Sequence, residues 1–160
     1  MSAFDAAEVT LRRTTLADAD GVAEVFLTSF RSAMPTIQLA HPDEEVAVYL
    51  SDVCIAQRET WVAESSDSGP PIVVAMMVLG DASIDQLYVR PGWQGRGIGS
   101  RLLALATERR PGGFELFAFQ VNEVARRFDE RHGLTVVDMN DGARNEEGEP
   151  DVLYRWTPGV

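Results

Sequence analysis

The chain has no lysine, one cysteine (Cys54) and two histidines (His41 and His132) in 160 residues. A lone cysteine cannot close an internal disulfide, so a reducing compartment, the cytoplasm, is expected. Cys54 falls on an amphipathic helical pattern with no histidine near it in sequence, and reads as a buried, inert thiol. No His/Cys cluster has metal-ligand spacing, so no metal is expected. No apolar run approaches the ~20 residues that span a bilayer. Met1–Asp5 lacks the basic start and apolar centre of a signal peptide, and no membrane partner is expected. Basic charge is also scarce: 14 arginines stand against 25 acidic residues, a formal net charge of −11. Nucleic-acid binding needs a basic stripe, so that class of partner is excluded. The acidic excess serves solubility first, and a negative field would also draw in a cationic substrate.

Apolar residues make up 45% of the chain, enough for one globular domain over residues 1–160 with a sizeable core. Val9–Arg13 alternates as a strand. Thr15-Leu16-Ala17-Asp18 is a capping box opening a helix with Ala19, Val22, Phe26 and Phe30 on one face. A second helix starts at Pro42, with Val46, Leu50 and Val53 as its stripe. Trp61–Ala63 and Ile72–Leu79 read as antiparallel strands around the turn Ser65–Pro71. A strand over Ile84–Val89, a glycine turn and a helix from Ser100 to Arg110 follow. Phe114–Phe119 is apolar enough to be a central strand. Asn122 caps a helix bearing Val124, Ala125 and Phe128 that stops at Gly133. Leu134–Val137 and Val152–Trp156 are the last strands, separated by a polar loop from Asp138 to Asp151. The fold class is α/β, a mixed, mostly antiparallel central sheet flanked by helices.

The richest segment is Val89-Arg90-Pro91-Gly92-Trp93-Gln94-Gly95-Arg96-Gly97-Ile98-Gly99-Ser100. A strand, a glycine-rich turn and a helix start put open backbone N–H groups where the helix dipole favours an anion. The glycines remove Cβ atoms that would hold the anion off. A P-loop would need a lysine that is absent here. A dinucleotide fingerprint needs G-x-G-x-x-G and an acidic residue closing the next strand; here the order is G-x-G-x-G, and Glu115 opens that strand.

With the strand before it and the helix after it, Gln94-Gly95-Arg96-Gly97-Ile98-Gly99 resembles the acyl-CoA loop of the GCN5-related N-acetyltransferase (GNAT) family. The order of elements is similar over nearly the whole chain. That resemblance implies a GNAT-like acyl-CoA N-acyltransferase fold, with acetyl-CoA as co-substrate in a gap between the fourth and fifth strands. It implies that backbone groups of Leu87, Tyr88 and Val89 hold the thioester and pantetheine. Gln94, Gly95, Arg96, Gly97, Ile98, Gly99 and Ser100 would hold the pyrophosphate, with Arg96 and Arg101 as possible charged partners. Asn122 and Phe128 match the family's pantetheine contacts; each is equally a cap and a core residue.

For catalysis, an amine attacks the thioester directly. Asp85 matches a position where the family often carries an acid, acting through a water or orienting the amine, or lying solvent-facing on the strand. Alternation groups Asp85, Leu87 and Val89 on one face and Ile84, Gln86 and Tyr88 on the other. Asp129 stands where the family's thiolate acid, a tyrosine, usually sits. On an exposed helix face Asp129 would be ionised and unable to donate, and Tyr154 or Tyr88 would have to substitute. Ala33-Met34-Pro35, His41 with Asp43-Glu44-Glu45, and the loop Asn145–Asp151 resemble a GNAT subgroup in which such segments border the acceptor cleft. His41 is the histidine placed for base work. Two functions follow from the resemblance: an N-acetyltransferase acting on a primary amine of a small molecule or protein N-terminus, or an acyl-CoA-binding sensor or subunit with little catalysis. A homodimer is an open expectation.

Overall fold

A computed structural model describes residues 9–66 and 69–159. Met1–Asp5 and residues 67 and 68 of the expected turn lie outside the described residues.

The uninterrupted apolar run from Ile72 to Leu79 locates the core. In β3 (Ile72–Leu79) every residue after Ile72 is buried, as a strand covered on both faces must be. It lies in an antiparallel ladder with β1 (Val9–Arg13), β2 (Glu59–Ser65) and β4 (Ile84–Val89), in the order β1-β2-β3-β4. On one face, α1 (Ala19–Ala33) buries Val22, Phe26 and Phe30 against Val62, Met76 and Val78. Leu50 and Cys54 join that cluster from a π-helical stretch (Leu50–Ile55) that continues α2 (Asp43–Tyr49). Burial pushes the Cys54 thiol pKa up, in keeping with an inert residue. On the other face, Leu102, Leu103 and Ala106 of α3 (Ile98–Arg109) pack on Val74 and Met77. Each of the fully buried leucine, valine and methionine side chains contributes about 1.5–3 kcal/mol.

A second antiparallel ladder holds β5 (Phe114–Phe119), β6 (Thr135–Asn140) and β7 (Asp151–Trp156) in the order β5-β7-β6, with α4 (Glu123–Arg131) leading into β6. Leu116, Val152 and Tyr154 share the α3-side core, so that helix spans both sheets. The sheets meet at one parallel bridge, Ser83 with Glu115, near the N-terminal ends of β4 and β5. Beyond it no ladder joins the two strands among the described residues, and a seam opens toward Val89 and Phe119.

Several expectations need correction. β5 is half-covered, with Phe117 63% exposed, and it is an edge of its own ladder. α3 starts two residues before Ser100, because Gly97 adopts φ +83° and serves as its N-cap. β6 runs to Asn140, shortening the polar loop to residues 141–150. Pro42 is the N-cap of α2 instead of its first helical residue. Val124 is exposed, off the buried face of α4. Simple alternation also fails along β4: Gln86 pairs with Val78 and Ile84 with Leu79, leaving Asp85 as a bulge without a partner. A bulge shifts the facing of the residues before it. Ile84 therefore packs with Leu87 and Val89 on the α3 side, whereas Tyr88 packs on the α1 side.

Candidate functional site

At the open end of the seam the chain turns sharply. The Trp93 N–H donates to the Arg90 carbonyl at 2.9 Å, and Gly92, Gly95 and Gly97 take φ values of +90°, +76° and +83°. A Cβ on any of these three would meet nothing within 4 Å. What requires glycine there is the left-handed backbone, and the space beside it stays open. The first i→i−4 bond of α3 runs from the Arg101 N–H to the Gly97 carbonyl at 3.0 Å. The N–H groups of Ile98, Gly99 and Ser100 precede it and have no partner within the helix. They point toward the turn at the positive end of the helix dipole.

The inner edge of β4 supplies a second set of main-chain groups. The Arg90 N–H donates to the Val74 carbonyl at 2.8 Å across the Ala75–Val89 pair. Antiparallel geometry then turns the N–H and C=O of Val89 and Leu87 away from β3, toward the seam. The Val89 carbonyl is occupied, accepting from Ser29 Oγ at 3.1 Å and Gln94 Nε2 at 3.0 Å. Gln94 thereby braces the turn against the strand. The two arginines are engaged locally: Arg96 stacks on Trp93, 4.6 Å to the ring centroid, and Arg101 donates to the Val9 carbonyl at 2.9 Å.

α4 closes the seam from the α3 side. Asn122 caps it, its side chain accepting from the Ala125 N–H at 3.2 Å. The Phe128 ring lies 3.4 Å from the place a Cβ on Gly99 would occupy, so small size at Gly99 is a packing matter. His132 Nδ1 donates to the Phe128 carbonyl at 2.8 Å, which leaves Nε2 to accept from Ser100 Oγ at 2.8 Å. Ser100 and His132 thus tie the first turn of α3 to the end of α4.

Asp129 departs most from expectation. It is 4% exposed, not on an open helix face, and burial together with the Glu130 charge raises its pKa to about 7. Tyr154, fully buried, donates its hydroxyl to Glu130 Oε2 at 2.6 Å and accepts from Arg126 Nε at 3.2 Å. Burial and that bond to Glu130 push its pKa up, so it holds α4 to β7 and is a poorer acid than a free phenol. Tyr88 turns away from the seam and meets Phe26 edge-on at 5.2 Å, its pKa also raised by burial. Asp85 sits near the closed end, accepting from Ser83 Oγ at 2.7 Å and paired with Arg58 at 3.1 Å. A hollow of about 450 Å³ there is lined by Arg58, Glu59, Asp85 and Arg110.

His41 lies in the connector between α1 and α2. Its Nδ1 is 3.0 Å from Glu45 Oε1, and Nε2 pairs with Glu146, which raises the His41 pKa, Glu146 more than Glu45. The Ala40 N–H donates to Glu147 Oε2 at 3.1 Å. The α1–α2 connector is thus strapped to the 141–150 loop, two segments that the family resemblance groups at one cleft. The candidates therefore divide: Leu87, Val89, Gln94–Ser100, Asn122 and Phe128 lie about the seam, Tyr154 lies on β7 beneath α4, and Asp85, Tyr88 and His41 face the α1–α2 side. The bracing residues Ser29 and His132 were not singled out from the sequence, because their partners are 60 and 32 residues away. No group of His, Cys, Asp or Glu placed to hold a metal ion occurs among the described residues, and none of their helices is long and apolar enough to cross a membrane.

Comparison with known proteins bears on the family and the fold. The profile of the acetyltransferase (GNAT) domain matches residues 56–135. The apo-form YjaB from Escherichia coli superposes with a TM-score of 0.71 at 19% identity, over 94% of this chain and 99% of that one. A GCN5-related N-acetyltransferase from Rhodopseudomonas palustris gives 0.71 at 23% identity, over 93% and 95%. YncA from Salmonella typhimurium, a putative acetyltransferase solved with its cofactor acetyl-CoA, gives 0.69 at 16% identity, over 95% of each chain. No curated protein matches the sequence.

Proposed function

The chain belongs to the acetyltransferase (GNAT) domain family, and from that premise we propose that residues 1–160 form one domain that transfers an acetyl group from acetyl-CoA to a primary amine, by direct attack in a ternary complex. The observation that carries this reading is the seam between β4 and β5. Its open end carries three helix N–H groups without intrahelical partners, and its inner edge carries the outward main-chain groups of Leu87. An extended chain ending in a diphosphate has the shape and the charge for such a slot. The structure similar to this one that was solved with acetyl-CoA supports the assignment.

The residues present fit that co-substrate. Ile98, Gly99 and Ser100 would receive the diphosphate through their N–H groups, Gly95 and Gly97 leaving room for it. Leu87 would hold the pantetheine amides as a neighbouring strand does, with Asn122 and Phe128 along the arm. Bound acetyl-CoA supplies an activated acetyl thioester. The protein's own part is to orient that thioester, exclude water with α4, and admit an amine from the α1–α2 side. There the carboxylates of Glu146 and Glu147 give a cationic acceptor an attractive field. The acceptor is a primary amine of a small molecule or a protein N-terminus. Burial and the Glu130 charge raise the Asp129 pKa to about 7, so a sizeable neutral fraction exists at neutral pH, which favours turnover over the alternative of an acyl-CoA-binding sensor or subunit with little catalysis.

Release of free CoA from acetyl-CoA, followed with spermidine, benzylamine and a methionyl peptide as acceptors, tests the reading. Turnover with at least one amine is expected. Binding of acetyl-CoA with no CoA release from any of the three would leave the sensor reading in its place.

A further inference from the structure

Among the described residues, Asp151 Oδ1 is the buried side-chain polar atom without a hydrogen-bond partner. Asp151 opens β7 and is 7% exposed. Its other oxygen, Oδ2, accepts from Asn145 Nδ2 at 3.1 Å. Asn145 is otherwise engaged within the loop, donating to the Glu149 carbonyl at 2.7 Å and accepting from the Glu149 N–H at 3.2 Å. One oxygen of Asp151 therefore suffices to hold the 141–150 loop, and an asparagine would hold it equally well. A buried carboxyl oxygen left without a partner is costly, and no arginine among the described residues supplies one.

Strand register fixes the direction of this side chain. Val152 and Tyr154 lie in the α3-side core, so Asp151 and Leu153, their alternates, lie on the opposite face of the second sheet. Phe119 is directly opposite Asp151 across the β5–β7 pair, and its ring meets Phe30 of α1 edge-on at 6.2 Å. Asp151 therefore belongs to the α1 face at the open end of the seam, with half-buried Phe119 between it and the gap. The 141–150 loop reaches over the same face. Its Glu147 accepts from the Ala40 N–H, and burial together with the Glu147 charge raises the Tyr88 pKa. Two carboxylates, Asp151 and Glu147, thus flank the aromatic strip of Tyr88, Phe30 and Phe119.

From this arrangement, and resting on the acetyl transfer proposed above, we infer that Asp151 Oδ1 receives a second cationic group of the acceptor, distinct from the amine that is acetylated. The acceptor is then a diamine or polyamine. β5 stands between β7 and the seam, which sets Asp151 back from the thioester's place by one strand spacing, about 4.8 Å. An alkyl chain of roughly four carbons covers that offset, lying across the Phe119 ring as an apolar floor. The reacting amine sits at the gap, and the far ammonium completes the Asp151 carboxyl with a charge-assisted hydrogen bond. Oδ1 is covered by protein, so the cation reaches it as the 141–150 loop lifts from its exposed strap at Ala40 and His41. Glu146 and Glu147 on that loop draw the cation in.

Diaminobutane and butylamine, which share a carbon chain and differ by one charge, test the inference on the full chain. First, each amine is titrated into ¹⁵N-labelled wild-type protein in the presence of CoA. Diaminobutane is expected to move the amide resonances of Phe119, Asn145 and Asp151, and butylamine to leave them in place. No movement at these residues with diaminobutane overturns the inference. Second, CoA release from acetyl-CoA is followed with both amines. In the wild type kcat/KM is expected to favour diaminobutane by about tenfold or more, mainly through KM, the worth of a charge-assisted hydrogen bond. Asp151→Asn keeps an oxygen for Asn145 and is expected to erase this preference by raising KM for the diamine. A purely structural Asp151 would weaken both amines together and keep their ratio, a result that overturns the inference. Equal kcat/KM for the two amines in the wild type overturns it while leaving acetyl transfer intact. Turnover of neither amine, with no movement at Asp151, overturns both.

Discussion

Ser100 Oγ lies 2.8 Å from His132 Nε2, and this contact joins the helix start that faces the seam to the helix that covers it. His132 also lies against Phe128, ring centroids 4.2 Å apart, so the hydroxyl, imidazole and phenyl form one brace beside Gly99. Removing the imidazole should loosen α4 without touching the glycine turn. His132→Ala is expected to lower stability by roughly 1 kcal/mol, the worth of a partly buried hydrogen bond. Acetyl-CoA affinity should weaken several-fold. Chemical denaturation and calorimetry read the two effects separately.

The glycine turn makes a sharper demand. Gly97 holds φ +83°, a conformation that costs an ordinary residue about 1 kcal/mol or more. In Gly97→Glu a carboxylate also enters the open space beside the α3 N–H groups. Thermal stabilisation by acetyl-CoA, expected for the wild type and not with ATP or NAD, should disappear in this variant. Gly112→Ala, in the turn after α3 with no strained φ and no neighbour within 4 Å of its Cβ, should keep it.

Tyr154 offers a contrast with Asp129. Its hydroxyl is shared between Glu130 and Arg126, so its role is to fasten α4 to β7. Tyr154→Phe should cost roughly 1–2 kcal/mol of stability, while the pH profile of kcat keeps the wild-type shape. A flattened profile in Tyr154→Phe would instead make the tyrosine the acid.

Asp129 gives stability a pH dependence of unusual sign for a carboxyl. Its folded pKa, about 7, lies above the ordinary value of 3.8, so the folded protein binds more protons than the unfolded chain between these limits. Stability contributed by this site is therefore lost as pH rises from about 4 to 7 and is level above that. Asp129→Asn should remove this slope and raise stability at pH 8 by an amount on the order of 2 kcal/mol. Urea midpoints measured across pH 4–8 for both proteins check the difference.

The strap at His41 should give a pH dependence of the same sign, from attraction to carboxylates instead of burial. Both acidic partners raise its pKa, so the charged pair persists below the folded pKa and is lost as pH rises through it. His41→Ala is expected to change KM for the amine while leaving acetyl-CoA affinity alone. Because the pair is exposed, salt should weaken the effect. Equal changes in both constants would tie His41 to the seam instead.

Local chemistry made part of this molecule legible before its coordinates. Gly95, Gly97 and Gly99 after an apolar strand, Asn122 ahead of a helix, and the unbroken Ile72–Leu79 run each carry their physical reason within a few residues. What escaped notice depended on long-range pairing. The Asp85 bulge arises from register with β3, and no alternation rule contains it. Asp129 is polar and lies next to Glu130 and Arg131, so its helix face reads as exposed, yet tertiary packing buries it. Phe114–Phe119 reads as central from composition, yet it is an edge of its ladder and the face carrying Phe117 is left in solvent.

The central claim is that backbone N–H groups at the start of α3 and the β4 edge hold coenzyme A. Titrating CoA into ¹⁵N-labelled protein and following the amide resonances tests it most directly. The largest shifts are expected at Gly95, Gly97, Ile98, Gly99 and Ser100, with a second set at Leu87 and Val89. Shifts centred on the hollow beside Arg58 and Asp85, or no shifts at all, would contradict the account.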